Sequence, residues 1–367
     1  MIILGIETSC DETAASVIKT SGGKIEILSN IISSQIPIHR KYGGIIPEIA
    51  ARAHIENILP VIQKSLEILK NQKIDLIAVT QGPGLVTSLL VGIETAKTFS
   101  YAKKIPLMGI NHLKGHIAAN WLSPISAISK SEFLISKQIQ IKFPALCLIV
   151  SGGHTELILM SGQTKYKKIG QTRDDAAGEC FDKIAKLLNI GYPGGPAIAA
   201  EAAKLKTTNY KLQVSLPRPM FNSPDFDFSF SGLKTAVFYL VQKNKNILTN
   251  GKTKNEFIQA VCAEAQQSII DVLIKKTIQA AEKFKVKSII LCGGVASNNE
   301  LRKQFEEKIK NLTTKINFYV PERKLCTDNA VMIAMAAYFQ YKNLGTKQIK
   351  KLQKNFQKIK VNPNLEI

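Results

Sequence analysis

One plan of strands, glycine turns and helices runs twice through this chain, and few architectures can hold it. Short β-branched runs at 2–6, 14–18 and 25–32 read as a meander of three strands. A helical pattern follows over 47–69, opening on Pro47, where a missing N–H is no loss. A strand at 74–80 then reaches Gly82-Pro83-Gly84, which breaks the chain ahead of a helix at 85–101. A strand at 106–110 leads into a helical stretch at 111–120. Over 123–142 the polarity is mixed and no period emerges, so a loop or insertion is expected. The pattern then restarts, with strands at 145–150 and 155–160 about Gly152-Gly153 and helices at 180–188, 231–241 and 256–284. A strand at 288–291, Gly293-Gly294, a helix at 298–309, a strand at 316–320 and a closing helix through 330–339 complete it. Two such halves predict an α/β protein of two similar lobes around a cleft, with ligand at strand ends and helix N-termini.

The chain's 367 residues, 45% hydrophobic and 21% charged, are enough for two cores. No run approaches the roughly 20 uninterrupted apolar residues of a bilayer span. The opening residues meet Glu7, Asp11 and Glu12 too soon for a signal peptide, so a cytoplasmic location without membrane partners is expected. Lys plus Arg is 49 against 28 Asp plus Glu, a net charge of +21. That excess suits a polyanionic partner, nucleic acid first. A lysine- and isoleucine-rich composition is equally what an AT-rich genome encodes, and part of the charge lies in 342–360, which reads as a solvated helical face or frayed end. The six cysteines, Cys10, Cys147, Cys180, Cys262, Cys292 and Cys326, are scattered without a CxxC pair and read as buried thiols.

Three small-residue turns stand at matching points of the two halves: Thr8-Ser9, Ser151-Gly152-Gly153, and the run from Cys292 through Gly293, Gly294 and Ser297 to Asn298. Glycine lets main-chain N–H groups converge on an oxyanion, and a hydroxyl adds a donor, so a nucleotide cleft is expected. Neither GxxxxGK[ST] nor GxGxxG occurs. Two of the five histidines, His112 and His116, are spaced i, i+4, which puts both imidazoles on one helical face within reach of one metal. Asp328, opening a helix after a strand, is the candidate third ligand. Two His and a carboxylate with open positions suit Fe(II), or Zn²⁺ in its place. A metalloprotease of the HExxH type needs a Glu after the first His, where Leu113 and then Lys114 stand. Glu12, beside the first turn, is the candidate general base, with a plain charge on a strand end as the alternative reading. His39 and His54 read as structural, and His154 as a ligand contact or a packed ring.

Several stretches match, in order, those of one family: residues 5–13 (GIETSCDET), 82–85 (GPGL), 111–116 (NHLKGH), 150–155 (VSGGHT), 174–179 (DDAAGE), 192–196 (YPGGP), 293–295 (GGV) and 326–329 (CTDN). They resemble the TsaD family, the tRNA adenosine threonylcarbamoyltransferases formerly described as O-sialoglycoprotein endopeptidases. The resemblance implies the two-lobed actin-like ATPase fold of sugar kinases and heat-shock chaperones, with a central ligand cleft. By position it implies an N-terminal lobe of 1–110 plus 328–345, a C-terminal lobe of 111–327 carrying the histidine pair and nucleotide turns, and a basic tail at 346–367. It implies transfer of threonylcarbamoyl from threonylcarbamoyl-adenylate to N6 of adenosine 37 in tRNAs reading codons that begin with A. His112, His116 and Asp328 match the family's metal ligands, usually iron. Ile149, Val150, Ser151, Gly152, Gly153, Asp182, Gly195 and Asn298 match its contacts to the adenylate or ATP. Ile149 stands where some archaeal relatives offer a Tyr, and Ala199 where some bacterial relatives place an acid. Implied partners are tRNA, a dimerising paralogue and a small ATPase. A metal-dependent glycoprotease and a non-catalytic nucleotide-binding scaffold are the alternative readings.

Overall fold

The computed structural model describes residues 1–122, 134–137, 140–205, 214–249, 251–354 and 356–367. Strands β1 (Ile2–Glu7), β2 (Glu12–Ser21), β3 (Lys24–Ser34), β4 (Leu76–Gly82), β5 (Leu107–Asn111) and β6 (Leu134–Lys137) form a sheet in the order β5-β4-β1-β2-β3-β6. Strands β7 (Ala145–Val150), β8 (Thr155–Gly162), β9 (Lys165–Gln171), β10 (Ser288–Cys292) and β11 (Asn317–Tyr319) form another in the order β11-β10-β7-β8-β9. In both, the first strand of the meander pairs antiparallel with the next strand. On its other side it pairs in parallel with a strand that returns through helices. β1 and β7 are buried along their whole length, as nearly continuous apolar runs are when both sheet faces are covered.

The helices of the first half are α1 (Ile36–His39), α2 (Pro47–Leu66), α3 (Val86–Lys103) and α4 (His112–Ala118). Those of the second are α5 (Ala177–Leu188), α6 (Gly194–Ala202), α7 (Ser231–Lys243), α8 (Gly251–Lys283) and α9 (Asn299–Lys310), followed by α10 (Ala330–Lys342) and α11 (Thr346–Lys354). Alternation along the strands divides the apolar side chains among three cores. Ile2, Leu4 and Ile6 of β1 pack outward with Ile58 and Ile62 of α2 and Ile93 of α3. Leu146, Leu148 and Val150 of β7 pack outward against α5, α7 and α8. The remaining faces meet in the middle, where Ile3 and Ala78 of one sheet and Cys147, Ile149 and Ile290 of the other enclose α4 and α10. The helix bearing the histidine pair thus lies in a layer that both sheets share. α10 is buried on nearly every side, as a helix apolar all round must be.

Part of α8 is long and apolar enough to cross a membrane (Thr253–Lys283), but 72% of the qualifying window is buried inside the protein, which makes it a core helix. Within 123–142, expected to be a loop or insertion, Leu134–Lys137 is a strand paired antiparallel with β3, too short to show a period in sequence. Residues 123–133 and 138–139 of that stretch lie outside the described residues. β9 and α6 were not expected; α6 opens on Gly194-Gly195-Pro196, a composition that reads as a turn. Lys347 and Lys351 of α11 are exposed, in keeping with a solvated face. The stretch read as a solvated face or frayed end does not fray at its close: Lys360 O accepts from Gln81 Nε2 at 2.9 Å, and the residues after it return to the carboxyl edge of the first sheet, where Asn362 N donates to Gln81 O at 3.0 Å.

Candidate functional site

α4 starts where β5 ends. Asn111 caps it, its Oδ1 accepting from Leu113 N at 2.9 Å and Lys114 N at 3.1 Å. This cap sets the first turn on which His112 and His116 stand, with ring centroids 4.7 Å apart and planes at 84°. Asp328 stands just before α10, which Asn329 caps through Met332 N at 3.0 Å. Asp328 Oδ1 lies 3.4 Å from His112 Nε2 and 3.2 Å from His116 Nε2. The ligand atoms of the three residues all fall within 4.8 Å of one another. Neither ring nitrogen of the buried His116 has a hydrogen bond of acceptable geometry. Buried nitrogens are normally satisfied, so donors that converge without bonding fit a shared cation.

Sequence reasoning passed over Glu7, at the end of β1. Its buried carboxylate accepts from Ser9 N at 2.5 Å and Thr80 Oγ1 at 2.6 Å, and lies 3.0 Å from His112 Nδ1. A carboxylate there keeps the proton on Nδ1 and leaves Nε2 to face Asp328. Burial disfavours charge on His112, yet Asp328 and Glu7 override it and hold its pKa well above the usual imidazole range. Burial likewise opposes charge on Asp328, but His112 and then His116 drive its pKa far below the carboxylate range. His116, facing less compensation for its burial, is shifted down.

Two further acids whose pKa burial raises follow β1: Asp11 in the loop, to about 6, helped by Asp328, and Glu12 at the start of β2, to about 8. Glu12 Oε1 accepts from Ser34 Oγ at 2.8 Å, while its Oε2 has no partner. From the second half, Asp182 on α5 is raised to about 6, mainly by burial, and its Oδ1 accepts from Gly194 N at 2.6 Å. Tyr192 adjoins this acidic group: its pKa is pushed up by burial, then by Asp11 and Asp182. Arg40 Nε reaches across to Tyr192 O at 3.3 Å.

The turn after β7 is different in kind. Ser151 N donates to His154 O at 2.8 Å and Ser151 Oγ accepts from His154 N at 3.1 Å, leaving Gly152 and Gly153 exposed at the tip. His154 is pushed down to about 4, first by burial and then by His112 and His116, and its turn follows β7, against which α4 packs. Ile149 and Val150 are wholly buried on opposite faces of β7, main chain included, so neither presents an exposed group to a ligand here. Gly293, at φ +92°, holds the neighbouring turn close: a Cβ there would stand 2.4 Å from Val150 O. Asn298 is the cap of α9, accepting from Leu301 N at 3.0 Å and donating to Gln266 Oε1 at 2.8 Å. Gly195 sits in the first turn of α6 with open space beside it.

His54 is held by Thr13 Oγ1 at 2.7 Å and Cys10 O at 2.9 Å, and His39 by Gln35 Oε1 at 3.1 Å, which are structural roles. All six cysteines are free, and all but Cys10 are buried. Leu113, where a protease would need its Glu, is buried in the middle core.

A family model described as TsaD, tRNA N6-adenosine threonylcarbamoyltransferase, matches residues 26–335. A curated protein of that name from Syntrophomonas wolfei subsp. wolfei is 49% identical over 344 residues, 93% of this chain and 93% of its own. One from Dehalococcoides mccartyi is 47% identical over 343 residues, 93% of this chain and 94% of its own. Among solved structures, full-length HypF in its phosphate- and nucleotide-bound form superposes with a TM-score of 0.54 at 10% identity, over 94% of this chain and 56% of its own. Component A of (R)-2-hydroxyglutaryl-CoA dehydratase from Acidaminococcus fermentans does so at 0.50 and 15%, over 94% and 100%. These two show the fold alone, the actin-like ATPase architecture.

Proposed function

The chain belongs to the TsaD family, so it is an acyltransferase, a tRNA N6-adenosine threonylcarbamoyltransferase, and from that premise we propose the chemistry of its site. The donor is threonylcarbamoyl-adenylate, with ATP able to occupy the same cleft. The acceptor is N6 of adenosine 37 in tRNAs reading codons that begin with A, and the product is t6A. His112, His116 and Asp328 hold one divalent cation, Fe(II) in the cell with Zn²⁺ as its substitute. Their convergence within 4.8 Å carries the reading. When bound, the metal supplies Lewis-acid polarisation of the donor's oxygens.

Adenine N6 is a weak nucleophile, but the donor is an activated anhydride with AMP as leaving group, so the protein's work is positioning and charge stabilisation. The Ser151 hydroxyl and the N–H groups of Gly152 and Gly153 hold the phosphate, and both glycines have open space where a Cβ would stand. Asp182 and Gly195 contact polar groups of the donor's threonyl or ribose part. Asn298 orients the nucleotide: its side chain caps α9 through Leu301 N and donates to Gln266 Oε1, and the amide keeps a second N–H for the donor. Glu12 is the candidate base for the N6 proton, its pKa of about 8 being close to working pH.

Lobes of 1–110 with 328–345 and of 111–327, with β6 of the latter range joining the sheet of the first, would set these groups on both walls of the cleft. The basic excess serves tRNA, and the reaction is placed in the cytoplasm. Exposed i, i+4 apolar pairs, Ile55 and Leu59 on α2 (63% and 59%) and Val86 and Leu90 on α3 (54% and 47%), support a docking face for a dimerising paralogue. A small ATPase completes the set of partners. The test supplies threonine, bicarbonate, ATP, an enzyme that makes the adenylate and unmodified tRNA, and scores t6A by nucleoside mass spectrometry. Failure of t6A to form with all helpers present, while the helpers work with a relative of this chain, refutes the reading.

A further inference from the structure

We propose that residues 360–366 are an internal strap that positions the histidine-bearing helix by locking the side chain of its cap, Asn111. The strap is stitched to the end of β4 and the loop after it: Asn362 N donates to Gln81 O at 3.0 Å, Gln81 Nε2 to Lys360 O at 2.9 Å, and Gly84 N to Pro363 O at 3.2 Å. Its approach is so close that a Cβ on Gly82, itself at φ +151°, would stand 1.8 Å from Asn362 O. Ile359 and Val361, just before and within it, pack into the outer core of the first sheet. The strap then passes over Asn111, whose Nδ2 donates to Leu365 O at 3.0 Å and Glu366 O at 3.1 Å. Glu366 reaches on to Lys168 of β9 at 3.4 Å, touching the second sheet.

The consequence lies in the chemistry of the amide. Carbonyl oxygens accept and cannot donate, so two strap carbonyls admit only the NH₂ end of Asn111. That forces Oδ1 toward α4, where it accepts from Leu113 N and Lys114 N. All four hydrogen-bonding positions of one side chain are thereby used, two on the strap and two on the helix. His112 is the next residue along the chain, so the set of the first turn decides where both imidazoles point. Asn111 is a positioning residue and the strap its anchor. The part of this inference that concerns metal rests on the reading of His112, His116 and Asp328 as cation ligands.

The test titrates Co(II) alone into the full chain and two variants, followed by the visible absorption of the bound ion. Asn111→Asp keeps an oxygen for the cap but turns a carboxylate toward the strap carbonyls. The second variant ends at Val361 and lacks 362–367. Outer-shell partners of metal ligands typically matter at the level of tenfold or more in affinity, so Co(II) binding about tenfold weaker is expected for both. A synthetic peptide spanning 359–367 should restore it in the truncated chain, and the amides of Leu113 and Lys114 should exchange hydrogen faster in both variants without metal. Should the truncated chain fail to fold, Asn111→Asp decides. Full-chain affinity in a folded variant, or a truncated chain that the peptide does not rescue, overturns the proposal. If the full chain itself binds no Co(II), the cation reading fails instead, and the exchange of the α4 amides still decides the strap.

Discussion

The turns after β1 and β7 hold equivalent places in two sheets of the same central strand order, yet their chemistry is opposite. The first is acidic and turned inward: Glu7 braces His112, and Asp11 and Glu12 have pKa values raised by burial. The second is small and open, with Gly152 and Gly153 at its tip and no carboxylate within the turn. Duplicated topology therefore determines where the ligand-facing loops lie, while side-chain charge decides what each handles. The first half suits a cation and a proton; the second suits an anion.

The contrast can be broken one side at a time. The largest effect is expected for His116→Ala, which should lower t6A formation roughly 100-fold or more and abolish Co(II) binding while AMP still binds, because a ligand matters more than its outer partners. Normal turnover by that variant after metal stripping would erase the first half of the comparison. Next, Glu7→Gln should weaken Co(II) about 10- to 100-fold, measured by absorption titration, with AMP affinity unchanged by calorimetry. The mirror change, Gly152→Asp, has room for its side chain. It should weaken AMP binding about tenfold through like-charge repulsion and leave Co(II) binding as it was. Loss of both ligands in either variant would show that the two turns do not act separately.

The smallest effect concerns Glu12. Its folded pKa of about 8 lies above the ordinary 4.5, so the native state holds this proton more tightly than the unfolded chain. That contribution is complete below the ordinary value and is lost as pH rises through about 8. Glu12→Gln should remove the loss, melting about 2 °C above the parent at alkaline pH and showing less difference at acidic pH. An identical pH profile for the two proteins in thermal melts would mean that Glu12 is ionised at neutral pH.

The doubled plan was legible because β-branched runs and glycine turns are local signals, and β1 and β7 are buried runs of that kind. The trio was legible too: i, i+4 spacing is a helical property, and Asp328 stands at a strand-to-helix junction. Glu7 was not, because its partners Thr80 and His112 lie 73 and 105 residues away and no local pattern announces them. The strap escaped for the same reason, since its bonds to Asn111 span about 250 residues of chain, 254 and 255. Asn298 shows another limit: a polar residue at a glycine turn reads as a ligand contact, and its role as the cap of α9 emerges only from the fold.

The central claim is that one divalent ion sits among His112, His116 and Asp328. Anomalous diffraction from crystals prepared with Fe(II), collected above and below the iron edge, tests it directly. The account predicts one strong peak about 2.0–2.2 Å from His112 Nε2, His116 Nε2 and an Asp328 carboxylate oxygen. A fully loaded crystal with its peak elsewhere, and these three side chains turned from any common centre, would contradict it.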